Sequence, residues 1–265
     1  MSPHAKYLEL TRQLVESLDD YPKNQYGGFN HFADTENVMY LGDAYMACPT
    51  CARYAYLTGQ TKYCDMAIEQ ILLMWRKMRS GNGLLRHGWD CSKQAKWADK
   101  STGLSPVVWG RALGFFIAAV VDVAEYVDVE HPQYESIISI ISEIISVVAE
   151  HQSKNGGWYQ IVDKPDQDGN WIEFSGTCLL LYSMAKAYRL QYIDKKYFKN
   201  IAEGYKGIID SIDFSKEGYL LMRNISPSVK LGGVEEYLKQ RTNLNDLHGA
   251  GSFALMCSEM SQIEL

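Results

Sequence analysis

A glycine turn repeated four times between helical stretches limits what this chain can fold into more than any other feature. The copies are Gly27-Gly28-Phe29-Asn30-His31, Gly83-Leu84-Leu85-Arg86-His87, Gly156-Gly157-Trp158-Tyr159-Gln160 and Gly218-Tyr219-Leu220-Leu221-Met222. Each places a turn-forming glycine ahead of a bulky apolar residue. The intervals between Gly28, Gly83, Gly157 and Gly218 are 55, 74 and 61 residues, the period of a helical hairpin repeat. Apolar residues recur at helical spacing over Ala5 to Leu18, Val38 to Leu57, Tyr63 to Met78, Val107 to Tyr126, Ile137 to Val148, Ile172 to Leu190, Tyr197 to Ile212 and Leu247 to Met260. The pattern predicts an all-α chain of eight helices, each unit running outer helix, glycine turn, short extended piece, inner helix. The stretch from Val107 to Val121 is apolar on most sides and reads as an inner helix, whereas Tyr134 to Gln152 interleaves Glu and Ser with Ile and Val and reads as an outer one.

Side by side, such units form an α/α toroid in which the loops before the inner helices share one rim, where a site would lie. Four hairpins fall short of the roughly six that close such a ring, so an incomplete toroid is expected, its open flank available for self-association. No low-complexity linker divides the chain, and residues 1–265 read as a single domain.

Charge and composition narrow the ligand. There are 26 Lys and Arg against 32 Asp and Glu, a net charge of -6, with no basic cluster, which disfavours nucleic acid and anionic membrane as partners. No apolar run approaches the ~18 residues of a membrane span, and the first residues lack a signal-peptide pattern. Eighteen Tyr and 6 Trp supply amphipathic rings of the kind that suit a sugar. The six cysteines, Cys48, Cys51, Cys64, Cys91, Cys178 and Cys257, lack a disulfide framework's spacing and fit a reducing cytoplasm. Cys48-Pro49-Thr50-Cys51 has a redox-like form but follows no strand, and a zinc site would need a second ligand pair. No metal and no cofactor are expected.

The densest chemistry follows the second glycine turn: His87-Gly88-Trp89-Asp90, Trp97-Ala98-Asp99, then Ser105-Pro106-Val107-Val108-Trp109-Gly110-Arg111. Arg111 begins the most apolar helix, where a guanidinium is costly unless it meets an anion. Two readings stand: Arg111 beside Trp109 holds a sugar carboxylate, or it pairs with a structural acid such as Asp90. Upstream, Asp43 in Tyr40-Leu41-Gly42-Asp43-Ala44-Tyr45-Met46 starts an inner helix. Poor solvation would raise its pKa toward that of a general acid, whereas a capping role would lower it.

In chain order the motifs are Gly-Gly-Phe-x-His, Tyr-Met-Ala-x-Pro, His-Gly-Trp-Asp, Trp-Ala-Asp with Ser-Pro-x-x-Trp-Gly-Arg, Gly-Trp-Tyr-Gln and Asn-Asp-Leu-His-Gly. From about Tyr21 to Cys257 this order resembles the unsaturated rhamnogalacturonyl hydrolases, glycoside hydrolase family 105. The resemblance implies a six-hairpin α/α barrel that removes the 4,5-unsaturated uronic acid from the non-reducing end of pectin-derived oligosaccharides. It implies protonation at C4 and water addition at C5, giving a hemiketal that collapses, rather than displacement at the anomeric carbon. Carried over by position, His31, Tyr40, Met46, His87, Trp109 and Arg111 become substrate contacts. The family's Trp-Leu-Asp reads Tyr40-Leu41-Gly42 here, so its catalytic Asp falls on Gly42, and Asp43 is the acid left to take that role. A one-residue shift on a helix turns a side chain by about 100°. A second family acid belongs to N-terminal hairpins that this sequence lacks. The alternative expectation is therefore a degenerate member that binds uronate sugars without turning them over.

Overall fold

The structure, a computed structural model, describes residues 3–263. Its helices are α1 (Pro3–Glu16), α2 (Asp43–Thr58), α3 (Lys62–Met78), α4 (Gly110–Ala124), α5 (Tyr134–Glu150), α6 (Phe174–Arg189), α7 (Phe198–Asp210), α8 (Val234–Leu238) and α9 (Leu247–Met260). Two short antiparallel ladders join β1 (Val38–Tyr40) to β2 (Gly88–Asp90) and β3 (Asp213–Phe214) to β4 (Leu220–Leu221).

The inner row runs α2, α4, α6, α9, each packed on the next, with α3, α5 and α7 behind it. Sequence dictates the layering. In α4 every residue but Phe115 is buried, as the uniformly apolar composition requires. In α5 only the stripe Ile137, Ile140, Ile141, Ile144, Ile145 and Val148 is buried, at the spacing of one helix face. Gly114 and Gly176 allow α4 and α6 to approach closely, since a Cβ on Gly114 would stand 2.7 Å from Leu179 Cβ and one on Gly176 2.9 Å from the Arg111 nitrogen. Lys186 of α6, with Nζ 2.6 Å from Asp122 and 2.8 Å from Glu125, ties the same pair together in charge. The arc of inner helices does not close: α2 and α9 lie at its two ends.

The four glycine turns are one structure built four times. In each, the glycine nitrogen donates to the carbonyl three residues earlier: Gly27 to Asn24, Gly83 to Ser80, Gly156 to Ser153 and Gly218 to Ser215. The φ angles are 84°, 84°, 81° and 85°, a left-handed conformation that favours glycine. The equivalent positions are thus Gly27 and Gly156, each one residue before the glycines from which the spacing was counted.

Three expectations shift. The helix expected from Val38 begins at Asp43, because Val38–Tyr40 instead pairs with Gly88–Asp90. The helix expected from Ile172 begins at Phe174, where Glu173 caps it by accepting from the Ser175 and Gly176 nitrogens. The short helix α8, within the irregular region after β4, carries no long periodicity and was not expected.

Candidate active site

The extended pieces that precede the inner helices bond to one another around one rim. His31 donates its backbone N–H to Val38, Leu41 to His87, His87 to Val107 and Gly110 to Gln160. Trp109 bridges Ile161, and Tyr159 bridges Ile172. This ladder fixes the heights of His31, Tyr40, His87 and Trp109 with main-chain bonds, before any side chain acts.

Below the rim opens a cleft of about 640 Å³. All seven residues singled out from sequence line it: His31, Tyr40, Asp43, Met46, His87, Trp109 and Arg111. Gly42, Ala112 and Phe115 complete the wall on the α2 and α4 side, and Phe32 lies at the mouth. Ser228, Val229, Lys230 and His248 form the opposite wall, which sequence reasoning did not assign. His248 sits in the Asn-Asp-Leu-His-Gly motif, a signal that was present; the others lie in a stretch without periodicity. A second concavity of about 690 Å³ lies between the third glycine turn and α7. Its Lys206 pairs with Asp210 and its Arg223 with Asp213, and it holds no comparable ring cluster.

Rings line the cleft in contact with one another. His31 stacks on Tyr40 with centroids 3.7 Å apart and planes 13° from parallel. Tyr40 meets His87 edge-on at 5.3 Å, and His87 lies 4.7 Å from Trp109. His87 is buried and shares a 2.6 Å hydrogen bond with the hydroxyl of Tyr237. Burial, with the charges of Arg111 and His31, pushes His87 down to about 3, so it stays neutral at ordinary pH and is no proton donor. The Trp109 indole N–H, also buried, has no hydrogen-bond partner among the described residues.

Arg111 is 1% exposed and its guanidinium lies 4.5 Å above the Trp109 ring. It donates to the Ser175 hydroxyl and to the carbonyls of Ser226 and Pro227. No carboxylate lies within ion-pair distance among the described residues. Glu173 supplies the largest favourable charge, but its carboxylate accepts from the Ser175, Gly176 and Ser226 nitrogens and caps α6. The reading that paired Arg111 with Asp90 is excluded: Asp90 accepts from Ser92 and the Ala95 nitrogen within its own loop. Asp99 likewise builds a turn with Ser101 and Thr102. Arg111 is thus a buried cation on an indole whose hydrogen-bond partners are all neutral oxygens.

Among the described residues Asp43 is the only carboxyl group on the cleft wall. It is about one quarter exposed, and both its oxygens lie within hydrogen-bond distance of His31 Nδ1, at 2.9 and 3.1 Å. The apolar enclosure expected of it is absent; an imidazole faces it instead. Gly42 also lines the cleft. A Cβ there would come no nearer than 3.6 Å to Phe115, so the position has room for a side chain. Cys48 and Cys51 are buried in α2, and burial pushes the Cys51 thiol up to about 12, far from redox chemistry. Among the described residues no cluster of His, Cys, Asp or Glu has metal-binding form.

Known proteins place this architecture. The solved structure of a family 105 glycoside hydrolase from C. acetobutylicum ATCC 824 superposes with a TM-score of 0.93 at 28% identity, over 98% of this chain and 75% of that one. Protein Atu3128 of Agrobacterium fabrum (strain C58 / ATCC 33970) is 27% identical over 145 residues, which is 55% of this chain and 62% of that protein. The unsaturated rhamnogalacturonyl hydrolase YesR of Bacillus subtilis (strain 168) is 26% identical over 130 residues, 49% of this chain and 33% of that protein. The matches span less than two thirds of these curated relatives. Residues 1–264 match the family model described as Glycosyl Hydrolase Family 88, and the chain belongs to that family.

Proposed function

We propose that the cleft binds the 4,5-unsaturated uronic acid at the non-reducing end of a pectin-derived, rhamnogalacturonan-type oligosaccharide and removes it by hydrating the vinyl ether. The observation that carries this reading is the state of Arg111: a buried guanidinium without a carboxylate, lying on an indole whose own N–H is unpartnered. A uronate supplies the missing anion, and its ring hydroxyls supply acceptors for Trp109. The His31, Tyr40 and Met46 faces provide the apolar contact that a sugar ring requires. Asp43, the only carboxyl group of the cleft among the described residues, carries the acid side of the reaction, with protonation at C4 and water at C5. No metal or cofactor enters this scheme. The likeness to YesR supports a rhamnogalacturonan substrate. Six thiols unlinked by disulfides support a cytoplasmic setting, and no helix among the described residues is long and apolar enough to cross a membrane.

Gly42 favours a second reading. It stands where the resemblance puts the family's catalytic Asp, and a member without that acid binds uronate sugars and leaves them intact. Incubation with unsaturated galacturonyl-rhamnose, followed by chromatography of the products, separates the two. Release of free rhamnose is expected. Intact disaccharide together with calorimetric binding establishes the second reading, and absence of both overturns the assignment of the cleft.

A further inference from the structure

The proposal above gives the acid side of the reaction to Asp43 without saying whether its own oxygen or a group it holds meets the substrate. Asp43 directs both oxygens at His31 Nδ1, so its carboxylate is engaged. His31 itself lines the cleft and is about one quarter exposed, its ring stacked on Tyr40 at 3.7 Å and in tilted contact with Phe32 at 4.1 Å. Its Nε2 has no hydrogen-bond partner among the described residues. An imidazole fixed by two rings and a carboxylate, with its second nitrogen unengaged at a cleft, has the arrangement of an oriented general acid or base.

We infer that His31 delivers the proton to C4 through Nε2 and that Asp43 acts through it as a positioning residue, standing in for the carboxyl group that Gly42 lacks. This rests on the hydration reading of the cleft. In the step, the π pair of the C4=C5 bond takes the proton from Nε2 and becomes the new C4–H bond. The positive charge left at C5 is shared with the ring oxygen. Water then bonds to C5 through its oxygen, and the proton it sheds returns to Nε2, so the imidazolium is restored and the net change is one water added. Asp43 holds the Nδ1–H throughout and balances the imidazolium charge.

The neighbours exclude other donors. His87 is neutral and bonded to Tyr237. Burial pushes the Tyr40 hydroxyl above its usual range. Arg111 is the anion receptor and does not release its proton. Lys230 is exposed at the far wall. His248 pairs with Asp246 at 2.7 Å, but that carboxylate caps α9 and also binds Asn243, and the imidazole lacks flanking rings. Of the charged groups that line the cleft with His31, namely Asp43, Arg111 and Lys230, only Asp43 is in contact with it.

The test follows the ultraviolet absorbance of the unsaturated bond in galacturonyl-rhamnose with wild type, His31→Ala, His31→Gln and Asp43→Asn. Loss of the general acid is expected to lower kcat on the order of 100-fold or more in both His31 variants, with a much smaller rise in KM from the lost ring contact. Imidazole added to His31→Ala should restore a large part of the rate. Asp43→Asn should lower kcat with an unchanged KM, and Asp43→Glu should recover part of it. A His31→Ala or His31→Gln enzyme within about threefold of wild type, or a folded His31→Ala protein unmoved by imidazole, overturns the inference while leaving the hydration reading intact. A wild type that does not consume the disaccharide overturns both.

Discussion

His31 Nδ1 lies 2.9 Å from one carboxylate oxygen of Asp43 and 3.1 Å from the other. The two residues reach this contact from different parts of the hairpin: His31 from the extended piece after the first glycine turn, Asp43 from the first position of α2. The one-residue offset from Gly42 therefore turns the acid toward an imidazole. Whether the pair can do what a carboxyl group at position 42 would do alone is the functional question this chain poses.

Arg111→Lys keeps the charge but loses the planar fork that stacks on Trp109 and reaches Ser175, Ser226 and Pro227. We expect weaker binding of unsaturated galacturonyl-rhamnose by about 2 kcal/mol or more, within the range for losing one side of a buried charge pair. Calorimetry on a variant verified as folded reads this directly, and equal affinity would return Arg111 to a purely structural role.

His87 carries a pH signature. Its folded pKa of about 3 lies below the unfolded value near 6.5. The unfolded chain therefore binds the proton first as pH falls, and the folded state loses stability from about pH 6.5 down toward 3. The full effect is on the order of a few kcal/mol. His87→Asn should flatten the pH dependence of unfolding by urea across that window relative to wild type. Parallel profiles for the two proteins would show that His87 titrates normally.

The four glycine turns are not equally tolerant. Gly27 and Gly218 face open space, so alanine there should cost only the left-handed penalty of roughly 1–2 kcal/mol. At Gly156 a Cβ would stand 2.2 Å from the Glu203 carbonyl oxygen, so Gly156→Ala should cost clearly more than Gly218→Ala in denaturant midpoints. Equal losses would show that the turn shifts freely against α7.

The repeat made most of this architecture legible. Leu247–Met260 and the outer helices announce themselves by apolar period, and the fourfold turn gives their pairing. Val38-Met39-Tyr40 was misassigned because three apolar residues ahead of an apolar helix have no period of their own; only β2, some fifty residues away, makes them a strand. Of the seven cleft residues, His31, Tyr40, His87 and Trp109 lie in the extended pieces that the rim ladder gathers, and Asp43, Met46 and Arg111 in the first turns of the helices that follow; the motifs of the resemblance marked them. The opposite wall was not, since Ser228 and Lys230 lie in an irregular strap without periodicity, whose preceding carbonyls at Ser226 and Pro227 accept from Arg111. The His31–Asp43 contact has no sequence signal, because the partners stand twelve positions apart across loop and strand.

Gly42 has φ of -66°, so a side chain there meets no backbone strain. Gly42→Asp should fold with little change in stability and raise turnover, since it adds a carboxyl group at the cleft in the N-cap position of α2. A folded variant no faster than wild type would argue that position 42 does not reach the reacting bond.

The most direct measurement of the central claim is the absorbance of the conjugated C4–C5 bond in unsaturated galacturonyl-rhamnose, followed with wild type and with Asp43→Asn under identical conditions. The account predicts that the wild type bleaches the band and that Asp43→Asn does so on the order of 100-fold more slowly, although both bind the sugar. A wild type that leaves the band untouched, or an Asp43→Asn protein that bleaches it at full rate, would contradict the account.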